Sequence, residues 1–357
     1  MSRGPAELVR DDVRAIKAYH VPPARGMVKL DAMENPYRLP RALAEEMGRR
    51  LAEVAVNRYP DPTHESLKRR LREAMAIPEP LGIVLGNGSD EILQLVSVAL
   101  ARPGAAVLAL EPSFAVYKLA AVAAGMRYVG VPLNADFTLD EARLLEAMQR
   151  ERPALTWIAY PNNPTGNLFA RDAILRIVGA APGLVAIDEA YYAFSGGASL
   201  LDEVGRHPNL LLVRTVSKLG LAGLRVGLAI ATPDWIGELE KLRMPYNVNV
   251  LSAAAAELLL ERREVLEAQT RAILDERARL ERALDAMPRV RRFPSAANFI
   301  LVRVPDAPAA FEALRERGIL VRTFHGTHPL LDHCLRLTVG TPDENTRMLE
   351  VLAPAVG

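Results

Sequence analysis

Val185-Ala-Ile-Asp-Glu-Ala-Tyr191 and Arg214-Thr-Val-Ser-Lys-Leu-Gly-Leu-Ala-Gly-Leu-Arg225, whose Lys218 lies thirty residues after Asp188, decide how this chain folds. Each stretch continues a short apolar run, 184–187 and 210–213. Runs of that length read as strands buried on both faces. In open parallel sheets, ligands bind beyond the carboxyl ends of the strands. Asp188 closes the first strand and Lys218 follows the exit of the second. A lysine at such an exit loses hydration, which lowers its pKa and makes it a better nucleophile. In isolation Asp188 reads equally as a helix cap or a loop charge, and most lysines are surface charges. Spacing alone leaves Tyr191 and Tyr192 as equal candidates for a phenol at the same site.

Working outward, the pattern alternates from about residue 80. Residues 82–85, 106–110, 156–159 and 226–231 also read as strands. Residues 89–101, 140–150 and 170–179 read as helices, the first with Ser89 as its cap and with Ile92, Leu93, Val96 and Leu100 on one face. Strand–helix repetition predicts an α/β fold with a mostly parallel sheet covered on both faces. Residues 250–286, rich in Ala, Leu, Glu and Arg, predict one long helix able to bridge two domains. Beyond Pro288 the mode changes to strands at 290–293, 298–304, 319–323 and 335–339, with helices near 309–317 and 343–352: a small α+β domain. The expected division is an N-terminal arm with part of the small domain at 1–44, a large domain at 45–249, and an interdomain helix with the rest of the small domain at 250–357.

Composition narrows the function classes. The chain has 357 residues, half of them hydrophobic, enough for a large core. Lys and Arg total 44 against 43 Asp and Glu, so no polyanion partner such as nucleic acid is expected. The single cysteine, Cys334, forms no internal disulfide and fits a reducing compartment. No signal peptide and no membrane span are expected, so the reading is a cytoplasmic protein.

Two loops add candidates. Tyr160-Pro-Asn-Asn-Pro-Thr-Gly166 follows a strand and offers Asn163 to a ligand oxygen, or serves only as a turn. Leu85-Gly-Asn-Gly-Ser-Asp-Glu91 opens a helix, whose first N–H groups suit a phosphate. It lacks both the dinucleotide fingerprint and the Walker lysine. His325 and His328 lie three apart with no accompanying carboxylate or cysteine set, so no metal site is expected.

These segments resemble, in order and over nearly the whole chain, the fold-type I aminotransferases that use pyridoxal 5′-phosphate (PLP). The resemblance rests on Leu30-Asp-Ala-Met-Glu-Asn-Pro36, Asn57-Arg-Tyr-Pro-Asp-Pro62, Gly86-Asn-Gly-Ser-Asp-Glu91, Glu111-Pro-Ser-Phe114, Pro161-Asn-Asn-Pro-Thr-Gly166, Asp188-Glu-Ala-Tyr191, Ser217-Lys218, Ala222-Gly-Leu-Arg225 and Arg336-Leu-Thr-Val-Gly340. Within that family the chain is most similar to the histidinol-phosphate branch. Two positions depart from the branch's Asn-Glu-Asn-Pro-x-Gly segment: Met33 and Arg38.

The resemblance implies a seven-stranded, mostly parallel sheet in the large domain, and it implies roles. Lys218 bonds the cofactor aldehyde and moves the proton between Cα and C4′. Asp188 holds the ring nitrogen. Tyr191 and Asn163 hydrogen-bond the ring's phenolic oxygen, and Phe114 stacks on the ring. Ser89, Asp90, Ser217 and Arg225 surround the cofactor phosphate, and Tyr59 reaches it from a second copy in a homodimer. Arg336, Arg322, Tyr19, Asn163 and Asn298 meet the substrate, whose far end is a phosphate ester in this branch. The implied reaction is transamination between histidinol phosphate and 2-oxoglutarate in histidine synthesis. The rivals are an aromatic amino-acid aminotransferase, a threonine-phosphate decarboxylase of the same fold, and a regulator that keeps a PLP-binding domain. The absence of a helix-turn-helix pattern in the first forty residues argues against the regulator.

Overall fold

A computed structural model describes residues 4–18 and 22–357. Twelve strands form two sheets. Chain order runs β1 (Val28–Leu30), β2 (Gly82–Asn87), β3 (Ala106–Glu111), β4 (Arg127–Pro132), β5 (Leu155–Ala159), β6 (Leu184–Asp188), β7 (Leu210–Thr215), β8 (Val226–Ala231), β9 (Arg291–Arg292), β10 (Phe299–Arg303), β11 (Ile319–Thr323) and β12 (Cys334–Thr338). The larger sheet has seven strands in the order β2-β8-β7-β6-β5-β3-β4. It is parallel except for β8, which runs against both β2 and β7. This is the α/β sheet the alternating pattern predicted. The second sheet has the order β1-β11-β12-β10-β9.

Alternation along the strands builds two cores. Ile158, Ile187 and Leu212 face one side of the large sheet, and Trp157, Ala186 and Val213 face the other. Successive side chains point to opposite faces, so strands covered on both sides must be apolar at every position. Each residue of β5 through β8 is indeed buried. The third core lies against the smaller sheet and includes Leu30, Phe299, Leu335 and Met348. Among the described residues, no helix is long and apolar enough to cross a membrane.

Local expectations differ from the structure in three places. The stretch 250–286 is two helices, Val250–Glu261 and Arg263–Asp285, broken at Arg262 (φ −108°, ψ 34°). The first packs on the helices Glu65–Met75 and Arg41–Ala52, while the second packs on β9, β10 and the helix Pro342–Val356. One straight rod cannot face both. Ser89 does not cap its helix: Gly88 (φ 86°) holds the cap position and Ser89 is the first helical residue, with no side-chain acceptor at that end. Residues 28–30, in the arm expected to join the small domain, do pair in parallel with β11. The edge strand β4, which buries only Val131, carries too weak a pattern to be found in sequence.

Register places the candidate chemistry on one edge. Ala159, the last residue of β5, pairs with Asp188, and Asp188 pairs with Val213. The turns after β5, β6 and β7 therefore emerge side by side. A buried ion pair locks the last two. Arg214 donates to Glu189 Oε2 from Nε at 2.9 Å and from Nη2 at 2.8 Å. Glu189 also accepts from Leu200 N at 2.7 Å and from the Ser199 hydroxyl at 2.9 Å. Arg214 Nη1 donates to Met75 O at 3.1 Å, and the guanidinium lies 4.2 Å from the Tyr192 ring centre. Both side chains are almost wholly out of water.

Breaking one half of such a pair strands the other charge in the interior. Glu189→Gln is expected to lower unfolding free energy by roughly 3–5 kcal/mol in urea titrations. The double change Glu189→Leu/Arg214→Met is expected to recover most of that loss, because apolar replacement leaves no orphan charge.

Candidate active site

A cavity of about 600 Å³ opens at the carboxyl edge of the seven-stranded sheet and is bounded on its far side by the arginines of β11 and β12. Lys218 sits in a single 3-10 turn, Ser217–Leu219, two residues beyond the end of β7. Its Nζ donates to Ala32 O at 3.2 Å and lies 5.7 Å from the Tyr191 ring centre. Burial, reinforced by the Arg336 guanidinium, pulls the amine down to about 8, although Glu34 works in the opposite direction. Asp188 is buried, and burial pushes its carboxyl up to about 6. Two donors oppose that rise: the Tyr117 hydroxyl on Oδ2 at 2.9 Å and Ala190 N–H on Oδ1 at 3.1 Å.

The structure separates the two tyrosines that spacing could not. Tyr191 lines the cavity, with its ring edge-on to Phe299 at 5.1 Å, and its hydroxyl accepts from Asn163 Nδ2 at 3.2 Å. Tyr192 turns away beneath Arg214. Asn163 also accepts from Arg336 Nη1 at 2.5 Å, so it links the phenol to the guanidinium. Phe114 forms part of the wall and meets Tyr117 edge-on at 5.7 Å.

An anion cradle lies at one end. The helix that begins at Ser89 and Asp90 points its uncapped N–H groups toward the cavity, where the helix dipole favours negative charge. Two glycines allow this approach. A Cβ at Gly88 would lie 2.3 Å from Arg225 Nη2, and a Cβ at Gly227 would lie 2.3 Å from Ser89 N. Arg225 contacts Asp90 Oδ2 at 3.3 Å. Thr215 donates its hydroxyl to Ser217 Oγ at 2.8 Å and accepts from Ser217 N–H at 3.1 Å, which fixes the serine.

At the other end, Arg322 on β11 and Arg336 on β12 are direct cross-strand partners. Side chains directly opposite on paired strands share one face, and like charges there repel. Arg336 is held by Asp31 O at 2.7 Å and lies 5.3 Å from the Phe299 and Phe324 rings. Two guanidiniums on the cavity wall, Arg336 held in place, suit a second anion, since each can bond two oxygens.

The remaining sequence candidates fall elsewhere. Tyr59 is 80% exposed, outside the cavity, and stacks on Tyr246 at 4.5 Å. Asn298 is fully buried and donates to Met33 O at 2.9 Å, so it secures the segment that borders the cavity without lining it. Tyr19 lies outside the described residues. His328 Nδ1 accepts from Leu330 N–H and His325 Nδ1 from His333 N–H. Among the described residues, no group of three or more metal-binding side chains gathers. Sequence reasoning missed Tyr117, Thr215 and Asp31. For Tyr117 a signal existed: it is three residues past Phe114, the spacing of one helix face. Met33, one of the two departures noted above, has φ 51°, a conformation that asparagine adopts more readily than methionine. Thr338 Oγ1 accepts its N–H at 3.1 Å and Asn298 holds its carbonyl.

Comparison with known proteins agrees with this geometry. Residues 25–352 match the family described as aminotransferase class I and II. The chain belongs to that family. It is 56% identical over 346 residues to a histidinol-phosphate aminotransferase of Chromobacterium violaceum, covering 97% of each chain. It is 52% identical to histidinol-phosphate aminotransferase 1 of Ralstonia nicotianae, covering 98% of this chain and 94% of that one. Its fold is similar to that of the histidinol-phosphate aminotransferase of Sinorhizobium meliloti solved in complex with pyridoxal-5′-phosphate. The TM-score is 0.87, with 24% identity over 97% of this chain and 96% of that one.

An amine pulled down to about 8 gains its reactive, neutral form as pH rises through that value. In the protein without added ligand, reductive methylation by formaldehyde should therefore modify Lys218 with a midpoint near pH 8. Exposed lysines should require about two units more. Peptide mass spectrometry across a pH series checks this, and a Lys218 midpoint equal to that of the surface lysines would contradict it.

Proposed function

We propose that this chain carries the amino group between histidinol phosphate and 2-oxoglutarate, with PLP as cofactor, in the synthesis of L-histidine. One observation carries the reading: a single cavity joins a half-buried amine, a buried carboxylate, an uncapped helix end and, opposite, two paired arginines. The donor set fits PLP at each of its polar groups. Lys218 matches the aldehyde, Asp188 the ring nitrogen, and Tyr191 with Asn163 the phenolic oxygen. Ser89, Asp90, Ser217 and Arg225 match the phosphate. The flat wall of Phe114 matches the ring face. When bound, PLP supplies an electron sink for the pair left at Cα after its proton departs.

The chain's own groups do the rest. Lys218 is close enough to neutrality at physiological pH to take the Cα proton, and it returns that proton at C4′. Asp188 keeps a negative charge against the ring nitrogen. Arg336 and Arg322 grip the phosphate ester of histidinol phosphate, and carboxylates of the second substrate meet the same pair. Asn163, bonded to both Tyr191 and Arg336, sets the distance between the reacting end and the gripped end. Tyr19 and Asn298 belong to the substrate side of this reading.

The division into an arm with part of the small domain at 1–44, a large domain at 45–249 and an interdomain helix with the small domain at 250–357 belongs to the proposal, since residues from all three line the cavity. So does a cytoplasmic homodimer in which Tyr59 reaches the cofactor phosphate of the other copy. The exposed Tyr59–Tyr246 stack, flanked by exposed Val56 and Met244, supports such a face.

Titration of the purified, PLP-loaded protein tests the substrate. Histidinol phosphate is expected to bleach the visible absorbance of the aldehyde form, with phenylalanine much weaker. An equal or stronger response to phenylalanine would move the assignment to aromatic amino acids. Arg322→Ala is expected to raise KM for histidinol phosphate by roughly tenfold or more, the value of a charge-assisted contact. Its KM for phenylalanine should change little.

A further inference from the structure

The mechanism above leaves the tyrosine behind Asp188 unused. Tyr117 has no exposed surface, and its ring lies parallel to Trp157 at 5.3 Å and 3°. Phe114 packs edge-on against it from the preceding turn. Packed on both sides, the ring aims its hydroxyl at Asp188 Oδ2, which accepts from it at 2.9 Å. Burial pushes the phenol well above its usual range, so it stays protonated. Ala190 N–H takes Asp188 Oδ1. Of the charged groups around Asp188, Asp90 raises its carboxyl and Lys218 lowers it. Neither makes a hydrogen bond to the carboxylate among those described, so its orientation rests on Tyr117 and Ala190.

We propose that Tyr117 is a positioning residue for Asp188: its hydroxyl orients the carboxylate and biases the proton shared with a bound cofactor toward the ring nitrogen. The inference rests on the PLP reading above. The physical reason is that a donor on a carboxylate stabilises the charged form. A proton between Asp188 and a pyridine nitrogen then resides on nitrogen, where the electron sink needs it. Phe114 and Tyr117, one helical turn apart, thereby serve the ring's face and its counter-charge from one short segment.

The test is nitrogen-15 NMR of the holoenzyme loaded with PLP labelled at the ring nitrogen, at one near-neutral pH. Tyr117→Phe keeps the ring and its stacking and removes one hydroxyl. The expected result is a ring-nitrogen resonance displaced toward that of neutral pyridine, with kcat down roughly tenfold and KM for histidinol phosphate changed far less. A resonance at the wild-type position overturns the proposal, whatever happens to kcat. Should Tyr117→Phe lose its circular dichroism, 3-fluorotyrosine placed at position 117 retains the donor and strengthens it. The resonance is then expected to move toward the protonated side, and no movement overturns the proposal. A wild-type protein that shows no bound resonance overturns the cofactor reading itself, an outcome distinct from an unchanged variant.

Discussion

The buried pairing of Glu189 with Arg214 is the constraint on which the site's geometry depends. It joins the residue after Asp188 to the residue four before Lys218, across neighbouring parallel strands. Isolated charges in an apolar interior are costly, and such a pair persists only when its remaining hydrogen bonds are also met. Here they are met by Ser199, Leu200 and Met75. The result is a rigid edge: the turn after β6 and the turn after β7 cannot slide relative to each other without exposing an orphan charge. The carboxylate and amine that these turns carry into one cavity, Asp188 and Lys218, are thereby held in register.

Burial then sets the chemistry on that edge. The same loss of water lowers the Lys218 amine and raises the Asp188 carboxyl, bringing both toward neutrality. Arg336 adds to the first effect because it is a fixed positive charge in the same cavity. A lysine with its ordinary pKa would remain protonated and inert at neutral pH. The fold therefore activates the amine by where it places it, not by giving it a dedicated base.

The segment 31–34 ties the two sheets to this centre. Asp31 O receives Arg336, Ala32 O receives Lys218, and Met33 is pinned by Thr338 and Asn298. A methionine at positive φ persists only where surrounding contacts over-determine the backbone. Those contacts come from Asn298, just before β10, and from Thr338 of β12, 265 and 305 residues away in sequence. The residues just after β1 thus bridge Lys218 and Arg336.

By itself the sequence determined the α/β class, because strands buried on both faces must be apolar throughout, and 184–187 and 210–213 are. It also placed Asp188 and Lys218 as candidates at the sheet's carboxyl edge, because each follows the end of such a run. Tertiary structure alone decided between Tyr191 and Tyr192, since both follow the strand and only the Arg214 guanidinium draws one of them away. It alone showed the break at Arg262, where one helical pattern must serve two different faces. It alone brought Tyr117 to Asp188, seventy-one residues apart, and faced Arg322 with Arg336 across two strands. Periodicity reports the side of an element that is buried; which distant group it meets depends on strand order and register, and those are set by the packing of the whole chain.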